Sequence, residues 1–396
     1  MKKFGLLPRI ILAIGLGIAA GYISPEWLIR VFATFNGLFG NFLGFAIPLI
    51  IIGFIAPGIG TMGRGAGKLL GITTGIAYIS TIIAGLFAYF TATTLYPTLL
   101  KNQSLKEFSN PEESLVAPFF TVEMAPIMGV MTALLLAFTL GLGLAAIKGD
   151  TLQKAMDDFR IIIEKLIENV IIPLLPIHIF GIFSNMTHAG QVGAIMSVFA
   201  KVFVMIIALH LIYLVVQYSI AGSAAKRNPF KMIKEMLPAY FTALGTQSSA
   251  STIPITLKHA KNIGAREKVA DFAVPLLATI HLSGSTITLV SCSIAVMMLQ
   301  GQAVTFAAMF PFILMLGITM IAAPGVPGGA VMAALGLLGS MLGFNDTMLA
   351  LMIALYLAQD SFGTACNVTG DGAITVIADK LSGKDSVSEQ KVVKAS

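Results

Sequence analysis

Charged residues are scarce in this sequence: Asp, Glu, Lys and Arg together make up 11% of its 396 residues. Hydrophobic residues make up 56% and occur in long runs without charge. A soluble domain of this length could not bury so much apolar surface, so the composition excludes a soluble globular protein. It predicts an all-α polytopic membrane protein.

Cysteine is almost absent as well. Cys292 and Cys366 both lie in apolar segments and do not have the spacing of metal ligands. We therefore expect two free thiols rather than a disulfide framework or a zinc site. The net charge of +6 does not indicate a nucleic-acid partner, because most basic residues lie in short loops between apolar runs. The sequence instead predicts that a lipid bilayer surrounds the protein.

The first part of the chain contains six apolar segments that could span a membrane. Basic residues lie before the first segment and after the second, fourth and sixth, which places these loops and the N-terminus on the cytoplasmic side. The first segment resembles a signal peptide, but no clear cleavage site follows it, and the loop charges alternate correctly only if it is retained. The six segments are residues 5–24, 33–57, 68–96, 118–147, 153–184 and 190–221.

The pattern changes after residue 222. The segment from Pro238 to Pro254 carries a cluster of hydroxyl side chains that is too polar to face lipid, and basic residues bracket it on both sides. Both of its ends are therefore cytoplasmic, which predicts a re-entrant hairpin. A long cytoplasmic loop with a short helix is a weaker alternative, because the flanks are apolar. The hydroxyl residues are Ser248, Ser249, Ser251 and Thr252.

The same arrangement is repeated further along the chain. A span from Asp271 to Met298 is interrupted midway by His281-Leu-Ser-Gly-Ser. It is followed by a second candidate hairpin, Val304 to Phe344, whose tip contains two prolines and cannot continue a regular helix. Interrupted segments in corresponding positions are typical of inverted repeats around a midplane binding site. We predict eight transmembrane helices, two re-entrant hairpins and cytoplasmic termini.

The last span carries four polar residues on one face. Asp360, Thr364, Asn367 and Asp371 follow an i, i+4, i+7, i+11 spacing, which places them within an arc of about 60° on a helix. A carboxylate at membrane depth costs several kcal/mol unless it pairs, binds an ion or faces a cavity. Lys380 could pair with Asp371, but Asp360 follows an uncharged run. This pattern favours a binding stripe over a packing seam.

Together these motifs resemble the dicarboxylate/amino acid:cation symporter family, which has the glutamate-transporter fold, and they resemble its serine/threonine-type branch. The resemblance rests on four motifs in the correct order. They are Gln247-Ser-Ser-Ala-Ser-Thr, Pro275-Leu-Leu-Ala-Thr-Ile-His-Leu-Ser-Gly-Ser, Gly325-Val-Pro-Gly-Gly-Ala and the stripe from Asp360 to Asp371.

The resemblance implies homotrimers whose protomers each contain two units. Spans one and two (residues 1–67) and spans four and five (118–184) would form a scaffold. Span three (68–96) and residues 190–380, which hold span six, the hairpins, span seven and span eight, would form a mobile transport unit. Residues 381–396 would be a cytoplasmic tail. The location it implies is the cell (inner or plasma) membrane.

The resemblance also implies roles for particular residues. Asp360 would hold the α-amino group of a substrate, and Asn367 with the first tip at Ser248 and Ser249 would hold its α-carboxylate. Thr364 and Gly363 would lie beside the substrate side chain, and the second tip, at Val326 and Gly328, would close over it. Sodium would bind at two places: Asp371 with Asn367 and the span-seven carbonyls around His281, and Thr279 with the second tip. No cofactor is implied beyond sodium.

The departures from the family pattern concern specificity and coupling. Family members that carry acidic amino acids have an Arg in span eight or the first tip, where this sequence has Gly363 and Gln247. This difference favours a neutral amino acid. The usual Asn-Met-Asp-Gly-Thr motif of span seven reads His281-Leu-Ser-Gly-Ser here, which predicts the loss of a third sodium site near Tyr78 and Thr81. His281 would either brace the turn as a neutral ring or carry a proton.

The leading interpretation is therefore secondary active uptake of a small neutral amino acid, coupled to sodium by an elevator-type motion. The alternatives within the family are carriers of dicarboxylates or acidic amino acids, coupled to protons or to no ion. An anion channel is an alternative from another class, although no filter motif is present. An intramembrane hydrolase using Ser248, His281 and an Asp is a further alternative that spacing alone does not support. We expect no enzymatic activity.

Overall fold

The computed structural model describes residues 6–63, 68–99, 115–190, 192–321, 323 and 328–382. The part of the chain that it describes is helical and contains no β-strand, which confirms the all-α class. The first seven helices are α1 (Leu6–Ile23), α2 (Glu26–Gly63), α3 (Lys68–Leu99), α4 (Val130–Ala146), α5 (Thr151–Leu166), α6 (Ile172–His188) and α7 (Val192–Ala225).

Seven further helices follow residue 228. The helices α8 and α9 pack side by side, as do α12 and α13, so each pair forms a helical hairpin. The bounds are α8 (Pro229–Thr246), α9 (Ser249–Asn262), α10 (Glu267–Ile280), α11 (Ser283–Leu299), α12 (Phe306–Ile321), α13 (Gly329–Leu342) and α14 (Asp346–Ser382). Helices α10 and α11 together form the interrupted span that the sequence predicts.

Among the described residues, six helical segments are long and apolar enough to cross a membrane, with α1 and α4 shorter. They are Glu26–Gly60, Leu69–Leu99, Thr151–His188, Met196–Ala225, Glu267–Leu299 and Asp346–Ser382. A multi-pass membrane protein is therefore confirmed. The assignment of eight spans with two hairpins that re-enter the bilayer stays a prediction.

Two of the predicted spans differ from the observed helices. Residues 118–129 precede α4 as irregular backbone instead of beginning the fourth span. Pro118 and Pro126 interrupt helical bonding there, and the side chain of Asn185 pairs with both backbone groups of Val116, at 2.9 and 3.0 Å. The fifth span contains a π-helical segment, Ile167–Ile171, directly before Pro173. A wider turn is the usual accommodation for a proline that cannot donate to the preceding helix.

Helix α14 is the central element of the site-bearing half of the molecule. It packs against α3, α7, α8, α9, α10 and α11, whereas α1, α2, α4, α5 and α6 pack mainly on one another. Nearly every residue of α14 from Ala350 to Ala378 is buried. The polar stripe of α14 consequently faces other helices, and each of its side chains must find partners within the protein.

A charge pair anchors the C-terminal end of α14. Arg266, in the link between α9 and α10, donates from Nε to Oδ1 of Asp379 at 2.6 Å and from Nη2 to the Asp379 carbonyl at 2.9 Å. The Asp379 side chain is 1% exposed, and Lys380 Nζ approaches its second oxygen at 3.5 Å. The pair fixes the link between α9 and α10 to the end of α14.

Replacing Arg266 by Leu should destabilise the folded protein by about 2 kcal/mol. This is less than the ~3–5 kcal/mol for breaking a fully buried pair, because the Arg266 side chain is partly hydrated. Lys154→Leu is the matched control, since the Lys154–Asp150 pair is exposed on both sides and should contribute less than about 1 kcal/mol. Equal thermal unfolding of the two variants in detergent would contradict the proposed anchor.

Candidate functional site

A small polar cavity lies where the first hairpin, the break between α10 and α11, the second hairpin and the middle of α14 meet. Its volume is about 30 Å³, which is room for one or two water molecules. Asp360, Thr364 and Asn367 of the stripe all face it. The other lining residues are Gln247, Ser249, Ala278, Thr279, Leu282, Ser285, Ala323, Ala330 and Tyr356.

Asp360 contacts the second hairpin directly. Its side chain is buried, and its Oδ2 accepts a hydrogen bond from the backbone N–H of Gly328 at 2.7 Å. Gly328 has a φ of +77°, and a Cβ there would lie 2.8 Å from Leu357 Cδ2. Only glycine fits this position without strain. The carboxylate therefore lies at the N-terminal end of α13, where the helix presents free N–H groups.

Asn367 closes the break in the seventh span. His281 and Leu282 leave the helical conformation, so the first N–H groups of α11 have no partner within their own helix. The side-chain oxygen of Asn367 accepts from the N–H groups of Gly284 at 2.8 Å and Ser285 at 3.3 Å. Its amide nitrogen donates to Ser285 Oγ at 3.0 Å. A side chain of α14 thus caps the N-terminus of α11.

The first hairpin contributes a helix N-terminus to the cavity. Gln247 has a φ of +54° and ends α8, and Ser248 then caps α9 by accepting from the N–H of Ser251 at 3.3 Å. Ser249, the first residue of α9, lines the cavity. The two tips therefore place the starts of α9 and α13 near the same stretch of α14.

A second polar network lies apart from the cavity lining, around Asp371. His281 Nδ1 is 2.9 Å from Asp371 Oδ1, and its Nε2 is 3.0 Å from Ser80 Oγ and 3.3 Å from Gln217 Nε2. Tyr213 completes the network by donating from its hydroxyl to the Ser80 carbonyl at 2.6 Å. The network links α3, α7, the α10–α11 break and α14.

The structure brings together only part of the predicted site. Ser249, Thr279, Asp360, Thr364 and Asn367 line one cavity. Other predicted residues lie beside it: Ser248 caps α9, Gly328 binds Asp360, Gly363 packs against α11, and His281 and Asp371 pair with each other. Val326 lies outside the described residues.

Sequence reasoning missed several members of both clusters. Tyr356 donates to Ser285 Oγ at 3.1 Å and thereby fixes the cavity wall. Ser80 contacts His281, whereas Tyr78, which the sequence suggested for this region, points its hydroxyl toward the Leu314 carbonyl at 3.4 Å. The sequence signal that could have identified such residues is an isolated polar residue in an apolar span, such as Gln217.

Two of the side-chain oxygens that were predicted to bind sodium around Asp371 already have protein partners. A hard monovalent cation needs several free oxygen ligands. One oxygen of Asp371 is taken by the imidazole, and the side-chain oxygen of Asn367 is taken by two backbone N–H groups. The second predicted position fits better, because Thr279 lines the open cavity. Its partner segment, the second tip at 324–327, lies outside the described residues.

A polar cavity between two helical hairpins, in a bundle with membrane-length apolar helices, is an arrangement suited to membrane transport. The sequence pattern of the sodium:dicarboxylate symporter family matches residues 6–381. The chain belongs to this family and is a transport protein, not an enzyme, as predicted. Similar proteins include the serine/threonine transporter SstT of Acinetobacter baumannii strains AYE, AB307-0294 and AB0057. Each is 25% identical over 398 residues, covering 97% of this chain and 99% of the relative.

Gly284→Ala should disrupt the contact between the break and α14. An added Cβ would lie 2.5 Å from the Gly363 carbonyl oxygen and 2.6 Å from Cys366 Cβ, and the backbone cannot move aside cheaply. We expect a loss of about 1–3 kcal/mol of folding free energy, typical of overpacking. Gly75→Ala is the control, because a Cβ there meets no atom within 4 Å. Equal unfolding temperatures of the two variants would contradict this close packing.

Proposed function

We propose that this protein is a secondary active transporter that takes up a small neutral amino acid together with sodium. The observation that carries the proposal is the buried Asp360 carboxylate, which faces a polar cavity between two hairpin tips. Among the described residues that line this cavity there is no cationic side chain. A buried carboxylate without a cationic partner is suited to a substrate that brings its own ammonium group.

The cavity offers complementary groups for both ends of a zwitterion. Asp360 would pair with the α-ammonium group. The N-terminus of α9, at Ser248 and Ser249, would receive the α-carboxylate, because helix N-termini present free N–H groups to anions. The Asn367 amide nitrogen would assist it, Thr364 would face the side chain, and Val326 and Gly328 of the second tip would close over the substrate.

The neutral side chain is inferred from the residues that surround it. Gln247 lines the cavity where an acidic substrate would need an arginine, and no Arg occurs in the sequence after Arg266. The similar SstT proteins are named serine/threonine transporters. Serine, threonine and alanine are therefore the proposed substrates.

Sodium is proposed as the coupling ion because the family description names sodium symporters. Its site would use Thr279 and the second tip, since Oδ1 of Asp371 and Oδ1 of Asn367 already have protein partners. We therefore propose fewer coupled ions than the full family pattern implies. Sodium here is transported cargo, so it leaves the protein in every cycle.

Elevator-type motion is proposed for the transport step. The cavity is too small for an amino acid, so a hairpin tip must move before substrate enters. The helices that pack around α14 would move as the transport unit (68–96 and 190–380). The helices packed around α2 would form the scaffold (1–67 and 118–184) of a homotrimer in the cell membrane, with both termini, including the 381–396 tail, in the cytoplasm.

Uptake of labelled serine into proteoliposomes tests this proposal. An inward sodium gradient should drive accumulation, and Asp360→Asn should abolish it, because the substrate ammonium group would lose its buried partner. Asp346→Asn is the matched control, as it makes the same change at the start of the same helix. Normal uptake by Asp360→Asn would remove the proposed role of this carboxylate.

The gradient arms of the same assay separate the alternative functions. Accumulation driven by a pH gradient and indifferent to sodium would replace the sodium proposal with proton coupling. Transport that is indifferent to both gradients would indicate a facilitator. A channel would show no counterflow of labelled substrate, whereas a carrier would.

Selectivity provides a further prediction. Gln247→Arg should shift preference toward aspartate by roughly tenfold or more, through a charge-assisted pair worth ~1.5–3 kcal/mol with the second carboxylate. Gly363→Arg should shift preference in the same direction, because an added Cβ at Gly363 meets Ser285 N and Thr288 Oγ1 at 3.6 Å, which is ordinary van der Waals contact. Competition of aspartate and serine for uptake measures the shift in each variant. Unchanged selectivity in both variants would show that the missing arginine does not explain the preference for neutral substrates.

A further inference from the structure

We infer that the His281 imidazole takes the place of a cation beside Asp371, so that this part of the transport unit is held together without a bound ion. The inference deepens the proposed sodium-coupled transport and rests on it. In this inference, His281 prevents sodium from binding at Asp371 and also holds the surrounding helices together, as a bound ion would.

The orientation of the imidazole follows from the chemistry of its partner. An ionised carboxylate can only accept hydrogen bonds, so the contact of 2.9 Å between His281 and Asp371 requires a hydrogen on Nδ1. The N–H group therefore contacts Asp371 Oδ1 where a bound cation would otherwise lie. Both side chains are essentially unexposed, at 0% and 1%. Water therefore does not compete for the carboxylate oxygen.

The other ring nitrogen is also held. Nε2 lies 3.0 Å from Ser80 Oγ and 3.3 Å from Gln217 Nε2, and Gln217 in turn donates to Ser80 Oγ at 3.0 Å. Partners at both nitrogens fix the plane and direction of the ring. The imidazole could leave Asp371 for an entering ion only by breaking the contacts to α3 and α7 as well.

The backbone of α14 is shaped to admit the ring. Gly370 precedes Asp371, and a Cβ on it would lie 3.1 Å from His281 Cε1 and 2.7 Å from Gln217 Oε1. The missing side chain lets the imidazole and the Gln217 amide pack against the helix itself. The ring therefore fills the space next to the carboxylate that a coordinated cation would need.

The arrangement has a mechanical consequence. His281 and its three direct partners come from the break after α10, α3, α7 and α14, so one imidazole joins four elements of the proposed transport unit. A sodium ion in this position would join them only while bound and would release them when it dissociates. A covalently attached ring keeps them joined throughout the cycle, which reduces the number of coupled ions.

Sodium titration of His281→Asn tests the inference. The variant removes the ring and supplies an amide oxygen, so Asp371 becomes available to a cation. Thermal unfolding is measured without substrate, with sodium replaced by choline at constant ionic strength. The variant should gain a sodium response in addition to that of wild type, with its folding equilibrium constant rising about tenfold further than that of wild type per tenfold increase in sodium above the Kd of the new site.

His178→Asn is the matched control, since His178 is another buried histidine that contacts a neighbouring helix, through Asn36 at 3.1 Å. It should show the sodium response of wild type. A His281→Asn protein that folds and gains no sodium response relative to wild type would overturn the inference.

Asp371→Asn provides a second test that does not require the histidine variant to fold. The sodium response of this variant should match that of wild type, within about twofold in apparent affinity, because Asp371 does not bind the ion. A wild-type response that is lost in Asp371→Asn would overturn the inference. The proposed sodium coupling is tested separately, because it would fail if uptake by wild type were indifferent to sodium. The stability comparisons would still decide the role of His281 in that case.

Discussion

The break in the seventh span leaves backbone N–H groups at the start of α11 without partners in their own helix. The site depends on giving these N–H groups hydrogen-bond acceptors from elsewhere in the protein. Each buried group left unpaired would cost about 1–3 kcal/mol. Asn367 meets this requirement with one side-chain oxygen. Its amide nitrogen then orients Ser285, which also accepts from Tyr356. The cavity wall is thus built from α14 outward, and displacing α14 would expose the break.

The same helix uses its two carboxylates in different ways. Asp360 faces the cavity and meets the start of α13 through Gly328. Asp371 lies three turns away, about 16 Å along the axis, and pairs with His281. The proposed roles therefore divide the stripe into a substrate-facing half and a structural half. A reduced set of ion ligands, compared with the full family pattern, would follow from this division.

Much of this arrangement could be predicted from the sequence, because composition, loop charge and helical periodicity are local properties. They gave the apolar helices, the interrupted span at His281 and the face that carries Asp360 and Asn367. The contact between His281 and Asp371 could not be predicted, since periodicity fixes a face of one helix but not its partner 90 residues away. The place of Gly363 beside a substrate stays a prediction from a motif position, and periodicity did not indicate its contact with α11. Gln217 gave only the weak signal of one polar residue in an apolar span.

We propose that the amino acid and the ion use the cavity at Asp360 and not the surroundings of Asp371. An experimental structure of the protein with bound L-serine in sodium tests it most directly. The account predicts the serine ammonium group in hydrogen-bond contact with Asp360, the carboxylate at the start of α9, and His281 Nδ1 still on Asp371. An ion between Asp371 and Asn367, with the imidazole rotated away, would contradict it, as would serine bound at a site that does not contact Asp360.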